Sequence, residues 1–178
     1  MDKKLEKIVQ ALQEKFGATC EEFRDEAHVF LKAEQIVEAL TLLRDKYEFE
    51  LLSALTASDY YPQQMPRFHV VYQLSSLAKN VTLQLRVPVN GDQPKASTER
   101  SRSVPTATRV YESANWRERE VFDMFGIEFE GHPDPRKILT PEDMDGHPLR
   151  KDFPLGYEEP QFTFNYDDID LKKIYAKE

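Results

Sequence analysis

Cysteine is almost absent from this sequence, and that shortage excludes more than any other feature of its composition. Cys20 stands alone among 178 residues. The chain therefore forms no internal disulfide, and it cannot by itself hold an iron–sulfur cluster, which takes about four thiolates. Glycine is scarce as well, with 6 residues. No G-x-G-x-x-G or G-x-x-x-x-G-K pattern occurs, so a backbone cradle for nucleotide phosphates is not expected. No run approaches the roughly 20 apolar residues that cross a bilayer, and Met1-Asp2-Lys3-Lys4 leads into an acidic amphipathic stretch rather than a signal-peptide core. An excess of positive charge is missing too. Against 24 Lys and Arg stand 32 Asp and Glu, a net charge of -8, which opposes unspecific binding to nucleic acid or anionic lipid. The expectation is a soluble, unprocessed chain with no nucleic-acid partner, which reaches a membrane only through other proteins.

What is present is enough for one core. Hydrophobic residues make up 40%, with 11 Phe and 8 Tyr, a composition that folds rather than stays disordered. Leu5, Ile8, Val9, Leu12 and Phe16 recur at helical spacing before Gly17, which predicts a helix over about 3–16. Residues 27–32 read as a short strand, and Ala33, Ile36, Val37, Leu40 and Leu43 predict a second amphipathic helix ending near Lys46. Three alternating runs follow. They are Phe49 to Ala57 with its odd-numbered residues on one face, Phe68 to Leu74, and Val81 to Val87, the last two meeting as an antiparallel pair around 75–80. The order predicts an α+β fold, a small mixed or antiparallel sheet with helices packed on one face.

Residues 91–103 are polar and aperiodic and read as a loop. Ser103-Val104-Pro105 is expected to open a helical segment. Asn115-x-x-Glu118 has the form of a capping box before a helix from about Trp116 to Phe125, stopped by Gly126. Beyond it, Pro133, Pro135, Pro141, Pro148, Pro154 and Pro160 break the chain too often for long elements. Two parts are expected: residues 1–130 as an α/β scaffold domain carrying the W-x-E-R-E-x-x-D helix, and residues 131–178 as an extended, proline-rich segment that wraps a partner. Tyr157, Phe162, Phe164, Tyr166 and Tyr175 lie in that tail, and rings of that size need burial on a partner or on the chain's own domain.

The densest chemistry lies in Trp116 to Asp123. On a helix, Trp116, Glu120, Asp123 and Met124 are expected to share a face, with Arg119 pairing with Asp123 four residues on. Paired carboxylates there could act as acid and base. The plainer reading is that Glu118 caps, Arg119 pairs and the rest touch protein. His132 with Asp134, and His147 further on, allow a metal-dependent enzyme as the competing reading, but two histidines in separate proline-rich loops lack the i, i+4 spacing of a helical metal site. Thr140-Pro141-Glu142-Asp143 has the plain form of a helix start. Cys20 and His28 fit no nucleophile pattern.

Read together, Ala114 to Ile127, Phe129 to Asp134, Arg136 to Leu139, and Gly146 to Leu155 resemble the signature of the 30 kDa subunit family, the C subunit, of the proton-pumping NADH:quinone oxidoreductase, respiratory complex I. Thr56 to Tyr60 and Phe68 to Leu74 resemble it too, so the likeness covers about residues 27–157. Met144 stands where the family often has Trp. The resemblance implies a structural subunit of the hydrophilic arm with no catalytic residue, cofactor or metal of its own. FMN and iron–sulfur clusters would lie in partner subunits, and the main neighbour would be the homologue of the D subunit, with the B and I subunits nearby. The signature and interface residues it implies are Trp116, Glu118, Arg119, Glu120, Asp123, His132, Asp134, His147, Arg150 and Asp152, at the cytoplasmic side of the cell membrane. A homologous subunit of a ferredoxin-, F420- or hydrogenase-linked complex is the alternative.

Overall fold

The computed structural model describes residues 3–24, 26–63, 65–91, 103–142, 144–154 and 164. Helix α1, Lys3–Phe16, buries the five apolar residues that its spacing marks, and Gly17 ends it in the left-handed conformation. Strand β1, Thr19–Phe23, then pairs antiparallel with β2, Glu26–Phe30. β1 is not legible in the sequence because four of its five residues are exposed and show no alternation. A 3-10 turn, Ala33–Gln35, leads into α2, Ile36–Tyr47, which buries Ile36, Ala39, Leu40 and Leu43.

Strands β3, Leu51–Asp59, β4, Phe68–Ser76, and β5, Val81–Val89, complete a five-stranded sheet in the order β1-β2-β5-β4-β3. All neighbours are antiparallel except β2 and β5. The sheet is therefore mixed, and the fold is α+β. Phe68, Val70, Tyr72 and Leu74 pair across with Val89, Val87, Leu85 and Leu83. This face forms one continuous core with the apolar residues of the helices. On the other face Gln84 bonds Gln73 at 3.2 Å, and Arg86 bonds Gln84 at 2.6 Å.

The expected odd-numbered face of β3 is corrected by a bulge. Leu52 pairs with Leu74 but Ala54 pairs with Gln73, so Ser53 is an extra residue. One inserted residue exchanges the faces. Leu52 and then Leu55, Ala57 and Asp59 point inward, and Leu51 is left exposed.

Three further expectations change beyond the sheet. Ser103–Pro105 opens no helix: it is β6, paired in parallel with β7, Glu128–Glu130. Helix α3 runs Ala114–Phe125, and its Ser113 cap makes no side-chain hydrogen bond. Asn115 and Glu118 therefore form no capping box, because Glu118 is turned inward and spent on other donors. Residues 140–142 start no helix, and residues 131–154 hold no helix or strand among those described. Of the tail's rings, Tyr157, Phe162, Tyr166 and Tyr175 lie outside the described residues, and Phe164 is exposed.

Candidate functional site

Helix α3 carries two carboxylates that are completely buried, Glu118 and Asp123. Asp123 sits near the C-terminal end, over the turn at 138–140. Its Oδ2 accepts the backbone N–H groups of Ile138, Leu139 and Thr140 at 3.1, 2.7 and 2.9 Å, and its Oδ1 accepts the Thr140 hydroxyl at 2.5 Å. Burial pushes its pKa upward, but these four donors together outweigh burial and hold it at about 2. Asp123 is an internal anchor for the proline-rich segment. Arg119 does not pair with it. Arg119 instead donates to the carbonyls of Arg136 and Lys137 at 2.9 and 3.0 Å and lies 3.5 Å from Asp134.

Glu118 meets a different environment. Its carboxylate accepts the Thr106 hydroxyl at 2.6 Å and the Ala107 N–H at 2.7 Å, joining α3 to the end of β6. Among the described residues, no Lys or Arg forms an ion pair with it. His132 Nε2 lies 3.9 Å away, but that ring donates from Nε2 to the Asn115 carbonyl and accepts the Asp134 N–H at Nδ1, each at 3.0 Å. Both ring nitrogens are therefore committed to backbone groups rather than to Glu118. Desolvation then dominates and raises the Glu118 pKa to about 7. Glu118, Arg119, Phe122, Phe129, His132 and Pro135 line a cleft of about 330 Å³ above this carboxyl.

The segment after β7 is sewn to the domain from both ends of α3. His132 holds Asn115 near the N-terminal end. His147 donates from Nδ1 to the Asp123 carbonyl at 2.8 Å, and Arg150 donates to the Phe125 carbonyl at 2.6 Å. Gly126 permits this: it caps the helix with φ +72°, and a β-carbon there would collide with the His147 ring and the Arg150 guanidinium. Asp134 is half-buried and paired with Arg136, whose hydrogen bonds hold its pKa at about 2.

One anchor centres on Arg67, which the sequence does not single out. Arg67, only 2% exposed, forms a two-point pair with Asp59 at 3.0 and 2.9 Å and a second with Asp152 at 2.9 and 2.5 Å. Lys151 N–H adds a bond to Asp59 at 2.8 Å. Burial alone would raise the Asp59 pKa, but Arg67 and the Lys151 and Tyr61 N–H groups bring it to about 2. Asp59 and Arg67 flank the β3–β4 hairpin, so their meeting follows from the pairing of Asp59 with Phe68. Asp152, distant in sequence, gives no such signal.

Trp116 and Glu120 remain outside this web. Trp116 is 66% exposed and Glu120 is exposed, whereas Asp123 and Met124 face the core, so the expected common face divides. Leu139 and Leu149 are exposed on the segment wrapped around α3. Among the described residues, no three His, Cys, Asp or Glu side chains gather as metal ligands, and His132 and His147 serve separate carbonyls.

This arrangement falls inside a match to the family model described as respiratory-chain NADH dehydrogenase, 30 Kd subunit, which spans residues 29–159. The chain belongs to that family. A relative from Roseiflexus sp. (strain RS-1), named as the C subunit of NADH-quinone oxidoreductase, is 44% identical over 98% of this chain and 95% of its own. One of the same name from Trichlorobacter lovleyi is 43% identical over 84% and 89%. A solved structure described as Nqo5, trypsin-resistant fragment 1–134, matches 74% of this chain and 98% of its own with TM-score 0.62 and 34% identity. A chain of the archaeal membrane-bound sulfane sulfur reductase shares the fold, with TM-score 0.68 over 99% of this chain and 96% of its own at 22% identity.

Proposed function

We propose that this chain is a non-catalytic structural subunit in the hydrophilic arm of a proton-translocating NADH:quinone oxidoreductase. The observation that carries this reading is what the motif's polar side chains do. Glu118, Arg119, Asp123, His132 and His147 all bond to groups of their own chain. They build a shape, and they leave Trp116 and Glu120 on α3 and Leu139 and Leu149 on the following segment exposed for contact with partners. Large exposed apolar groups rimmed by charge suit an assembly surface.

In this reading electrons pass from NADH through FMN and iron–sulfur clusters to quinone within partner subunits. The chain holds no cofactor and docks on the homologue of the D subunit, with the B and I subunits near. Its single cysteine agrees with that division of labour. None of the described helices is long and apolar enough to cross a membrane, so attachment at the cytoplasmic side of the cell membrane runs through partners. The wrapped segment over residues 131–154 forms part of the interface.

The test is copurification from the native host with tagged wild-type chain, Trp116→Ala and Glu120→Ala. Recovery of the D-subunit homologue and of flavin with the wild type, and loss of both with the variants, is the expected result. Normal assembly with lost turnover would move these residues into the chemistry instead. The identity of the electron-input subunits recovered separates this reading from a ferredoxin-, F420- or hydrogenase-linked complex.

A further inference from the structure

Besides joining α3 to the end of β6, Glu118 is a titratable group that the structure connects to solvent. Its Oε2 is 2.6 Å from the Thr106 hydroxyl, and that hydroxyl is 2.9 Å from the hydroxyl of Thr108. Thr106 is buried and Thr108 half-buried. Thr108 lines a separate groove of about 540 Å³ with Arg109, Glu112, Asn115, Gly131 and Pro133. A row of two hydroxyls therefore runs from a fully buried carboxyl to an open surface.

The bonding is satisfied in both proton states. With Glu118 ionised, Thr106 donates to it while accepting the Thr108 hydroxyl and the Thr108 N–H, the latter at 3.2 Å. With Glu118 protonated, the carboxyl donates to Thr106, Thr106 donates to Thr108, and Thr108 turns outward. Hydroxyl groups reverse in this way because each both donates and accepts.

The groups facing Glu118 do not hold it in one state. His132 has both nitrogens occupied, and Arg119 is spent on two carbonyls. Tyr72, from β4, is completely buried, and its hydroxyl has no hydrogen-bond partner among the described residues. Its pKa is pushed well up by burial and then by the nearby Glu118 charge, so it stays a neutral phenol. Glu128, also in the cleft lining, lies on the exposed side of β7.

We propose that Glu118, Thr106 and Thr108 form a proton-binding site with its own entry path, in which the carboxyl stores the proton and the two hydroxyls conduct it to the surface groove. On release, the carboxyl proton passes to the Thr106 oxygen, the Thr106 proton to the Thr108 oxygen, and the Thr108 proton to water. Glu118 is left as the carboxylate and both hydroxyls are restored. The site couples the seating of α3 on β6 to the pH of the groove.

The test uses the full chain and infrared difference spectroscopy of the protonated-carboxyl band. In wild type a band that Glu118→Gln abolishes is expected below neutrality, and it should disappear around the Glu118 pKa of about 7. After a pH jump, Thr108→Val should slow the loss of that band by about tenfold or more, the effect of breaking one link in the relay. Thr108→Ser, which keeps the hydroxyl, should restore the wild-type rate. Thr106→Val should slow it further and raise the midpoint by removing a donor to the carboxylate. Absence of a Glu118 band at about pH 6, below the ordinary histidine midpoint, would overturn the proton site. Wild-type relaxation in Thr108→Val would overturn the path, and because Thr108 is only half-buried that variant decides the matter even if Thr106→Val does not fold.

Discussion

Glu118 and Asp123 occupy the same helix and are equally hidden from solvent, yet the structure holds Asp123 ionised and drives Glu118 toward neutrality. The difference lies in how deeply each is buried and in the supply of donors. Asp123 receives three backbone N–H groups and a hydroxyl from one turn of the following segment, whereas Glu118 receives one N–H and one hydroxyl. Burial has the same sign at both positions. Deeper burial with two donors leaves Glu118 titratable, and shallower burial with four donors fixes Asp123 as an anchor.

The largest effect should come from the other ionised anchor. Arg67→Met leaves Asp59 buried and facing no cation, a change that costs about 3–5 kcal/mol when one partner of a buried pair is removed. Urea denaturation monitored by Trp116 fluorescence and circular dichroism measures it. A loss below about 1 kcal/mol, the level of a surface pair, would mean that the N–H donors of Tyr61 and Lys151 suffice without the guanidinium.

Asp123→Ala comes next. It orphans the donors at 138–140, at about 1–3 kcal/mol for a buried group left unpaired, with part of that returned where the turn reaches water. Limited proteolysis should then cut between Arg136 and Met144 in the variant and not in wild type. Equal resistance in both would remove Asp123 from its role as anchor and weaken the contrast with Glu118.

The helices and the α+β order were legible in the sequence because each buried stripe repeats within a few residues, as Leu5 to Phe16 and Ile36 to Leu43 do. β1 and the bulge at Ser53 were not, since exposed residues and a single insertion leave no periodic trace. The residues of the α3 motif were visible, but their roles were not. Glu118 reads as a local cap and Arg119 as a partner for Asp123, because spacing along one helix reports local neighbours alone. The partners that define their chemistry, Thr106 at the end of β6 and the turn at 138–140, are brought in by tertiary packing. Pro105 and the aperiodic stretch before it conceal β6, whose short parallel pairing with β7 places Thr106 beneath the helix.

Stability against pH sharpens the comparison in opposite directions. Asp123 and Asp59 have folded pKa values lowered from 3.8 to about 2, so their contribution is present above 3.8 and is lost as pH falls through about 2. Glu118 is raised from 4.5 to about 7. Between those values the folded state binds more protons than the unfolded one, so stability declines as pH rises across that window and levels off above it. The difference between 4.5 and about 7 corresponds to roughly 3–4 kcal/mol at about 1.4 kcal/mol per pH unit, of which roughly 2–3 kcal/mol falls between about pH 5 and about pH 8. The urea midpoint should fall from about pH 5 to about pH 8 in wild type, whereas in Glu118→Gln it should hold or rise, because burial lowers the His69 pKa and so favours the folded state at the higher pH. A wild-type midpoint that rises over this interval would reverse the assignment of the two carboxylates.

The smallest effect on stability should come from the residues left outside both clusters. Trp116 is 66% exposed and makes a cation–π contact with Arg119, whose guanidinium carbon is 5.8 Å from the ring centroid. An exposed cation–π contact is worth about 0.5–1 kcal/mol, and Arg119 keeps its bonds to the Arg136 and Lys137 carbonyls without it. Trp116→Ala should therefore shift the urea midpoint by an amount equivalent to less than about 1 kcal/mol. A buried Trp anchor at an interface costs about 2 kcal/mol or more on truncation, so the same variant should recover much less partner subunit in copurification. If stability falls as far as in Asp123→Ala, Trp116 belongs to the internal web that holds the segment after β7. If neither stability nor partner recovery changes, the docking face lies elsewhere on the chain.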